Sequence, residues 1–251
     1  MTMLDRLPEF QAAEIKVNSR GYTINGQKYA RVTSALGIIN KPGLVGWARK
    51  SVLEKAREVI KRLAKSSLPI DADAVLLELE SAGSERDAAA TLGAAVHTLI
   101  QQLLTEGALV DLPPALAPMI HAAAGFLREY QIQPIHTEFT VWDEARHVAG
   151  TIDGVGLQRG KVVIWDWKTG RSLYPETALQ LAAYATLFRE TTGVAVQEAW
   201  AVRLPKNEGE TFEARRVADV NRSYATYILA LELQAELKRD PWTGEEREED
   251  A

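Results

Sequence analysis

Apolar and polar positions alternate over residues 16–29, where Asn25-Gly26 is a tight-turn signal, and predict a small β-hairpin. Arg31, Val32, Thr33 and Ser34 then open a short helix, capped by Thr33 or Ser34, that Lys41-Pro42-Gly43 breaks. Helical spacing follows over 44–64, with Trp47, Val52, Ala56, Val59, Ile60 and Leu63 on one side, and again over 71–81. Ser84-Glu85-Arg86-Asp87 resembles a capping box and starts a long helix to about Thr105, ended by Gly107. Pro113 and Pro114 precede a helix over 115–130 with Leu116, Met119, Ile120, Ala123, Phe126, Leu127 and Tyr130 as its stripe. The period then changes to two. Residues 134–142 read as a strand with His136, Glu138, Thr140 and Trp142 on one face and Ile135, Thr137, Phe139 and Val141 on the other. A hairpin follows: Val148, Thr151 and Ile152 lead to Gly154, Gln-Arg-Gly turns, and Val162, Val163, Ile164 and Trp165 return. Thr169-Gly170 stops it, and Pro175-Glu176 opens a helix whose core face is Ala178, Leu181, Ala182, Ala185 and Phe188. Strands over 194–204 and 212–217, and a helix from Asp219 to about Lys238, complete the pattern. Helices, three strands, a helix, strands and a last helix make an α+β plan in which one helix crosses between strands of a mixed sheet.

The hairpin carries two carboxylates, Asp153 on its outgoing strand and Asp166 near the end of the returning one. Lys168 stands two residues beyond Asp166, and strand side chains alternate, so that acid and amine share a face. An acidic pair beside a lysine at the end of an apolar strand is costly to bury without compensation. A divalent cation would compensate it. Asp-x-Lys alone is a weak signal, and a solvated strand end with a minor ion pair is the plain alternative. Three neighbours favour a site: GTID one hairpin's length upstream, the apolar run 162–165, and the helix that follows at once. On that helix Gln180 and Tyr184 are four apart and can both face the carboxylates.

GTID, WDWKTG and QLAAY together resemble the PD-(D/E)XK nuclease superfamily in its RecB-type exonuclease branch. That branch carries an upstream His on a helix, an Asp, a D-x-K and a Q-x-x-x-Y. His97 in GAAVHTLI, Asp153, Asp166 with Lys168, and Gln180 with Tyr184 stand in that order, within roughly residues 93 to 205. The resemblance implies a restriction-endonuclease-like αβββαβ core with an N-terminal helical elaboration. Residues 1–92 would be a hairpin and helices packed on the core, 93–240 the nuclease core, and 241–251 an acidic, disordered tail. It also implies Mg²⁺ or Mn²⁺, one ion or two, held by Asp153, Asp166, the Trp167 backbone carbonyl and His97. Lys168 would orient or deprotonate the attacking water, its pKa lowered near a metal, and Gln180 and Tyr184 would hold the DNA strand or the site geometry. Without the resemblance, His97 among Ala94, Val96, Leu99 and Ile100 reads as a packed core residue. Glu138 stays open between a ligand at a second metal, a hydrogen-bonding support and a solvent-facing strand residue. In relatives the entry region contacts DNA; here Arg31, Lys41 and Arg49 are left open as contacts, Trp47 is read as core and His121 as surface.

Composition narrows this further. With no cysteine among 251 residues, disulfides, cysteine-ligated zinc and the iron–sulfur cluster of some relatives are excluded. Formal net charge is −5, but Glu245 to Asp250 holds five acids and one arginine, so the body is near neutral and a local basic groove is compatible with a DNA partner. No apolar run has the length of a membrane span and MTMLDRLPEF has no export pattern, so a cytoplasmic location without membrane partners is expected. The function the resemblance implies is metal-dependent hydrolysis of DNA, by an exonuclease on single-stranded or free-ended DNA in recombination, repair or phage DNA processing. A recombination or single-strand-binding protein would be its partner. The alternative is a non-catalytic DNA-binding or assembly module that keeps the fold, and a metal-free acid/base hydrolase using Asp153 and Asp166 is a weaker third.

Overall fold

The computed structural model describes residues 13–18, 21–39, 84–108 and 111–240, with isolated positions at 7, 54, 57–59, 61–62, 242–243 and 245. Lys41, Trp47, Arg49, the helix expected over 71–81, most of that over 44–64 and nearly all of the acidic tail lie outside the described residues. Two compact units divide the chain, Met1–Ile39 with Val96–Ala251, and Asn40–Ala95. No helix among the described residues is long and apolar enough to cross a membrane.

The first unit is built on a mixed sheet. β1 (Ile15–Asn18), β2 (Gly21–Ile24) and β3 (Gln27–Arg31) form an antiparallel meander, closed by Asn25 and Gly26 at φ 48° and 83°. β3 runs straight into α1 (Val32–Ala35), whose N-cap is the extended Arg31 with no side-chain hydrogen bond, so neither Thr33 nor Ser34 is the cap. The chain continues through α2 (Ser84–Glu106), α3 (Ala117–Glu129), β4 (Ile132–Asp143), β5 (Val148–Gln158) and β6 (Lys161–Lys168). It ends with α4 (Pro175–Thr192), β7 (Glu198–Arg203), β8 (Glu213–Arg216) and α5 (Val220–Leu237). The expected αβββαβ order is present. Arg159 and Gly160, at φ 50° and 79°, make the two-residue turn that pairs Gln158 with Lys161, a geometry matched to the strand twist. Asp219 caps α5 by accepting the Arg222 N–H at 2.9 Å.

The sheet order is β1-β2-β3-β5-β6-β7-β8, with β4 on the other edge of β5; β3–β5 and β6–β7 are parallel, the remaining pairs antiparallel. One edge of β5 is therefore shared. β6 pairs along Gly154–Gln158 and β3 along Val148 and Ala149, which leaves residues 150–153 in a fork between the two.

Strict alternation on β4 does not hold. The register shifts between Pro134 and His136, and Glu138 has φ 52° in mid-strand, between the pairs Thr137↔Gly154 and Phe139↔Ile152. As a result the His136 ring lies edge-on to Phe139, 5.0 Å away, where alternation had put them on opposite faces. The partner strand keeps its register against β4 but changes the way its side chains face. A Cβ on Gly150 would meet the Tyr184 ring of α4, and one on Gly154 would meet Trp165, whose ring packs with Trp167 toward Phe126 of α3. Residues four apart on a regular strand look the same way, so β5 turns once between these glycines. That turn brings Asp153 to the α4 face.

α4 lies between the sheet and α5, and is buried continuously from Gln180 to Phe188 instead of along a single stripe. Phe126 of α3 packs the opposite face, its ring 5.7 Å from Trp167 and 6.2 Å from Trp200. Gly154→Ala would put a methyl 2.0 Å from the fully buried Trp165 ring, and is expected to cost about 3 kcal/mol by denaturant titration. Gly160→Ala meets nothing within 4 Å and strains only its φ of 79°, at about 1 kcal/mol. Equal losses in the two variants would contradict this packing.

Candidate active site

The fork in the sheet decides where the charged residues go. Gly154↔Trp165 is the last β5–β6 pair; one step further in the same register Asp153 stands opposite Asp166, so both carboxylates face α4. The ladder does not continue there. The Asp153 Oδ2 accepts the backbone N–H of Trp167 at 2.6 Å, so a side chain satisfies the donor that the fork leaves without a strand partner. Trp167 thus joins the site through its backbone, and its indole turns to the α3 face.

Asp166 is 2% exposed and Asp153 8%. Lys168 Nζ lies 2.6 Å from the Asp166 Oδ2 and donates to the Gln180 Oε1 at 3.2 Å. Gln180 Nε2 donates to the Asp166 Oδ1 at 2.9 Å and to the Tyr184 hydroxyl at 3.0 Å. The amide can sit only one way round, because a lysine only donates and a carboxylate only accepts. From α2, His97 Nδ1 lies 3.4 Å from the Asp153 Oδ1 and 3.9 Å from Glu138 Oε1. His97, Asp153, Asp166, Lys168, Gln180 and Tyr184 therefore form one cluster, with Glu138 at its edge and Arg31 outside these contacts. Arg203, which no sequence pattern singled out, is set beside Lys168 by the parallel β6–β7 ladder. A helix separates the two strands in the chain, so no local signal could have shown it.

Electrostatics follow from burial and crowding. Burial alone would lower the His97 pKa, but the Asp153 and Glu138 contacts and the Asp153 and Asp166 charges outweigh it and raise it to about 10. Burial and the Asp166 charge push the Asp153 carboxyl up to about 6, against the lowering effect of His97. Burial opposes the Lys168 charge, yet the Asp166 carboxylate beside it holds the amine above its ordinary value. Burial keeps the Tyr184 phenol well above its ordinary range, hence neutral.

The donor set fits a hard divalent cation. His97, Glu138 and Asp153 each offer an atom within 4.8 Å of the others, and the buried Asp166 Oδ2 accepts no hydrogen bond of good geometry beside Lys168. Oxygen donors with one imidazole suit Mg²⁺ or Mn²⁺. Glu138, at the edge of this cluster, has a left-handed backbone with φ 52°, unfavourable for a side chain of this kind. Glu138→Gly is expected to stabilise the metal-free fold by up to about 1 kcal/mol while weakening Mn²⁺ binding. A thermal melt and a calorimetric titration read the two effects, and a Glu138→Gly protein with unchanged Mn²⁺ affinity would remove Glu138 from the ligand set.

The sequence of residues 115–248 matches the family model of the PD-(D/E)XK nuclease superfamily, a span that includes both carboxylates, Lys168, Gln180 and Tyr184 and leaves His97 outside. No curated protein matches the sequence. Among solved structures, SSO0001 is 14% identical over 96% of this chain and 88% of its own, with a TM-score of 0.39. The alkaline exonuclease LHK-Exo of Laribacter hongkongensis is 15% identical over 58% of this chain and 81% of its own, with a TM-score of 0.31. Its complex with dAMP gives 16%, 58%, 82% and 0.31 for the same quantities. The family match covers more than half of the chain and runs through the forked hairpin and the helix behind it: this chain belongs to the PD-(D/E)XK nuclease superfamily.

Proposed function

We propose that the protein is a metal-dependent deoxyribonuclease, with Asp153, Asp166 and Lys168 as its catalytic residues. The observation that carries this reading is the convergence of two buried carboxylates and a lysine amine on one face of the sheet, at a fork open to His97. Phosphodiester hydrolysis consumes a water, breaks one P–O bond and leaves a hydroxyl and a phosphate monoester. Negative charge grows on the phosphate oxygens on the way. A divalent cation held by Asp153, Asp166 and His97, with the Trp167 carbonyl and Glu138 as further donors, would supply charge neutralisation and Lewis acidity there.

The chain's own groups do the rest. Gln180 fixes the Asp166 carboxylate and the Lys168 amine in one orientation through three hydrogen bonds, the third to Tyr184. With Asp166 engaged by a cation, the attraction that raises the Lys168 pKa would be offset, while the burial of the amine would persist. The amine is then suited to orient the attacking water, take its proton or hold charge on the phosphate. Tyr184 keeps a neutral hydroxyl at the site, able to donate to a strand oxygen.

An exonuclease acting on single-stranded or free-ended DNA, in a recombination, repair or phage setting, is the finer reading; its support is the resemblance of the motif set to the RecB-type branch. End-labelled single- and double-stranded DNA, linear and circular, incubated with Mg²⁺, Mn²⁺ or chelator, tests both levels. Cutting of linear but not circular substrates is the expected result. Binding without cutting in any metal would replace the enzyme by a DNA-binding module.

A further inference from the structure

The face that holds Asp166 continues past the site. Asp166 pairs with Ala201 and Ala201 with Arg215, so a row crosses β6, β7 and β8. Strands lie about 4.8 Å apart, which places Arg215 about 10 Å from Asp166. In the next row Lys168 pairs with Arg203 and Arg203 with Glu213. Glu213 holds both Arg203, at 3.1 Å, and Arg215, at 2.6 Å, so these three charges leave a net positive one.

At the end of the row, between the start of α4 and the start of α5, opens a cavity of about 410 Å³. Ala178, Leu181 and Ala201 give it apolar walls, and Tyr174, Arg215 and Arg222 stand around it. Tyr174 is 52% exposed, so its ring is accessible at the cavity. The Arg222 guanidinium has no ion-pair partner among the described residues, and Asp219, the acid in the same wall, is committed to capping α5. An exposed ring over an apolar hollow, flanked by guanidinium groups, has the chemistry that takes a base by stacking and its phosphate by charge-assisted hydrogen bonds. The volume lies at the small end of the range of about 300–1,000 Å³ for pockets that hold one small molecule. It has room for one unstacked nucleotide.

We propose that this cavity is a nucleotide subsite of the nuclease. It receives one unstacked nucleotide of a single DNA strand next to the scissile phosphate, the base on Tyr174 and the phosphate against Arg215 and Arg222. The subsite rests on the nuclease reading of the neighbouring cluster and adds the strand selection to it.

The test is fluorescence anisotropy of the full chain with a labelled oligothymidine in chelator, beside the same strand with abasic sites. Wild type is expected to favour the base-bearing strand about tenfold, and Tyr174→Ala to erase that preference. Arg222→Ala is expected to weaken both strands alike and to lower the salt dependence of binding by about one counterion. Both positions are exposed, and a thermal melt checks that each variant is folded. Wild-type cutting in Mg²⁺ or Mn²⁺, with neither variant altered in affinity, preference or salt slope, overturns the subsite and leaves the nuclease standing. Strand binding that responds to both variants, with no cutting by wild type in either metal, supports the subsite as a binding site and removes the nuclease reading alone.

Discussion

Asp166→Asn is expected to lower metal-dependent DNA cleavage by about a thousandfold or more, in a protein that folds like the wild type. The asparagine keeps an oxygen to accept from Gln180 Nε2, now 2.9 Å from the Asp166 Oδ1, so the geometry of the cluster has a substitute partner. What disappears is the negative charge that the cation and the Lys168 ammonium both require, and lost charge stabilisation of a few kcal/mol corresponds to a rate factor of about 10³. Asp166→Ala should lose as much activity and also leave Gln180 and Lys168 with a missing partner in a 2% exposed position, which adds a fall in melting temperature. Lys168→Ala is expected to abolish cutting while leaving Mn²⁺ affinity within a few-fold. An Asp166→Asn protein that cuts within tenfold of wild type would falsify the assignment.

Divalent cation should stabilise the protein, and the gain should increase with pH. The Asp153 carboxyl is raised above its unfolded value of 3.8 to about 6. A group raised on folding contributes stability that is complete below the unfolded value and is lost as pH climbs through the folded one. The metal-free chain therefore loses this contribution between about pH 4 and 6. His97, raised from 6.5 to about 10, gives its full contribution below about pH 6.5 and loses it progressively between there and pH 10. Cation binding at pH 7 to 8 must then displace the His97 proton, so affinity should rise by up to about tenfold per pH unit. At a hundred times its dissociation constant the ion contributes about 2.7 kcal/mol, roughly 5–10 °C in a chain of this size. Thermal melts with Mn²⁺ at pH 6 and 8, and calorimetry in buffers of different ionisation enthalpy, measure the two effects. A melting shift that is larger at pH 6, or binding without proton release, would contradict the electrostatics of the cluster.

Much of this site could be read from the chain because it is local. Gln-Arg-Gly fixes a two-residue turn, the turn fixes the register, and the register sets Asp153 against Asp166. The four-residue step from Gln180 to Tyr184 places both on the face of α4 toward the carboxylates, and they are hydrogen-bonded there. Other features depend on tertiary context. The left-handed backbone at Glu138 has no signature, since glutamate is an ordinary strand-surface residue and a poor left-handed one. Alternation along 134–142 therefore misassigned its faces. Likewise, α4 is buried around most of its girth because α5 covers it, which an apolar stripe cannot report. The β3–β5 pairing and the Asp166–Ala201–Arg215 row join segments far apart in sequence, and no short motif encodes them.

The turn at Arg159-Gly160 has a consequence for how the molecule assembles. Low sequence separation makes a two-stranded ribbon one of the quicker structures to close, on a scale of microseconds, whereas α2 and β7 must be brought in across long stretches of chain. Early closure of this ribbon would bring Asp153 and Asp166 together ahead of the imidazole and the amide that accommodate them.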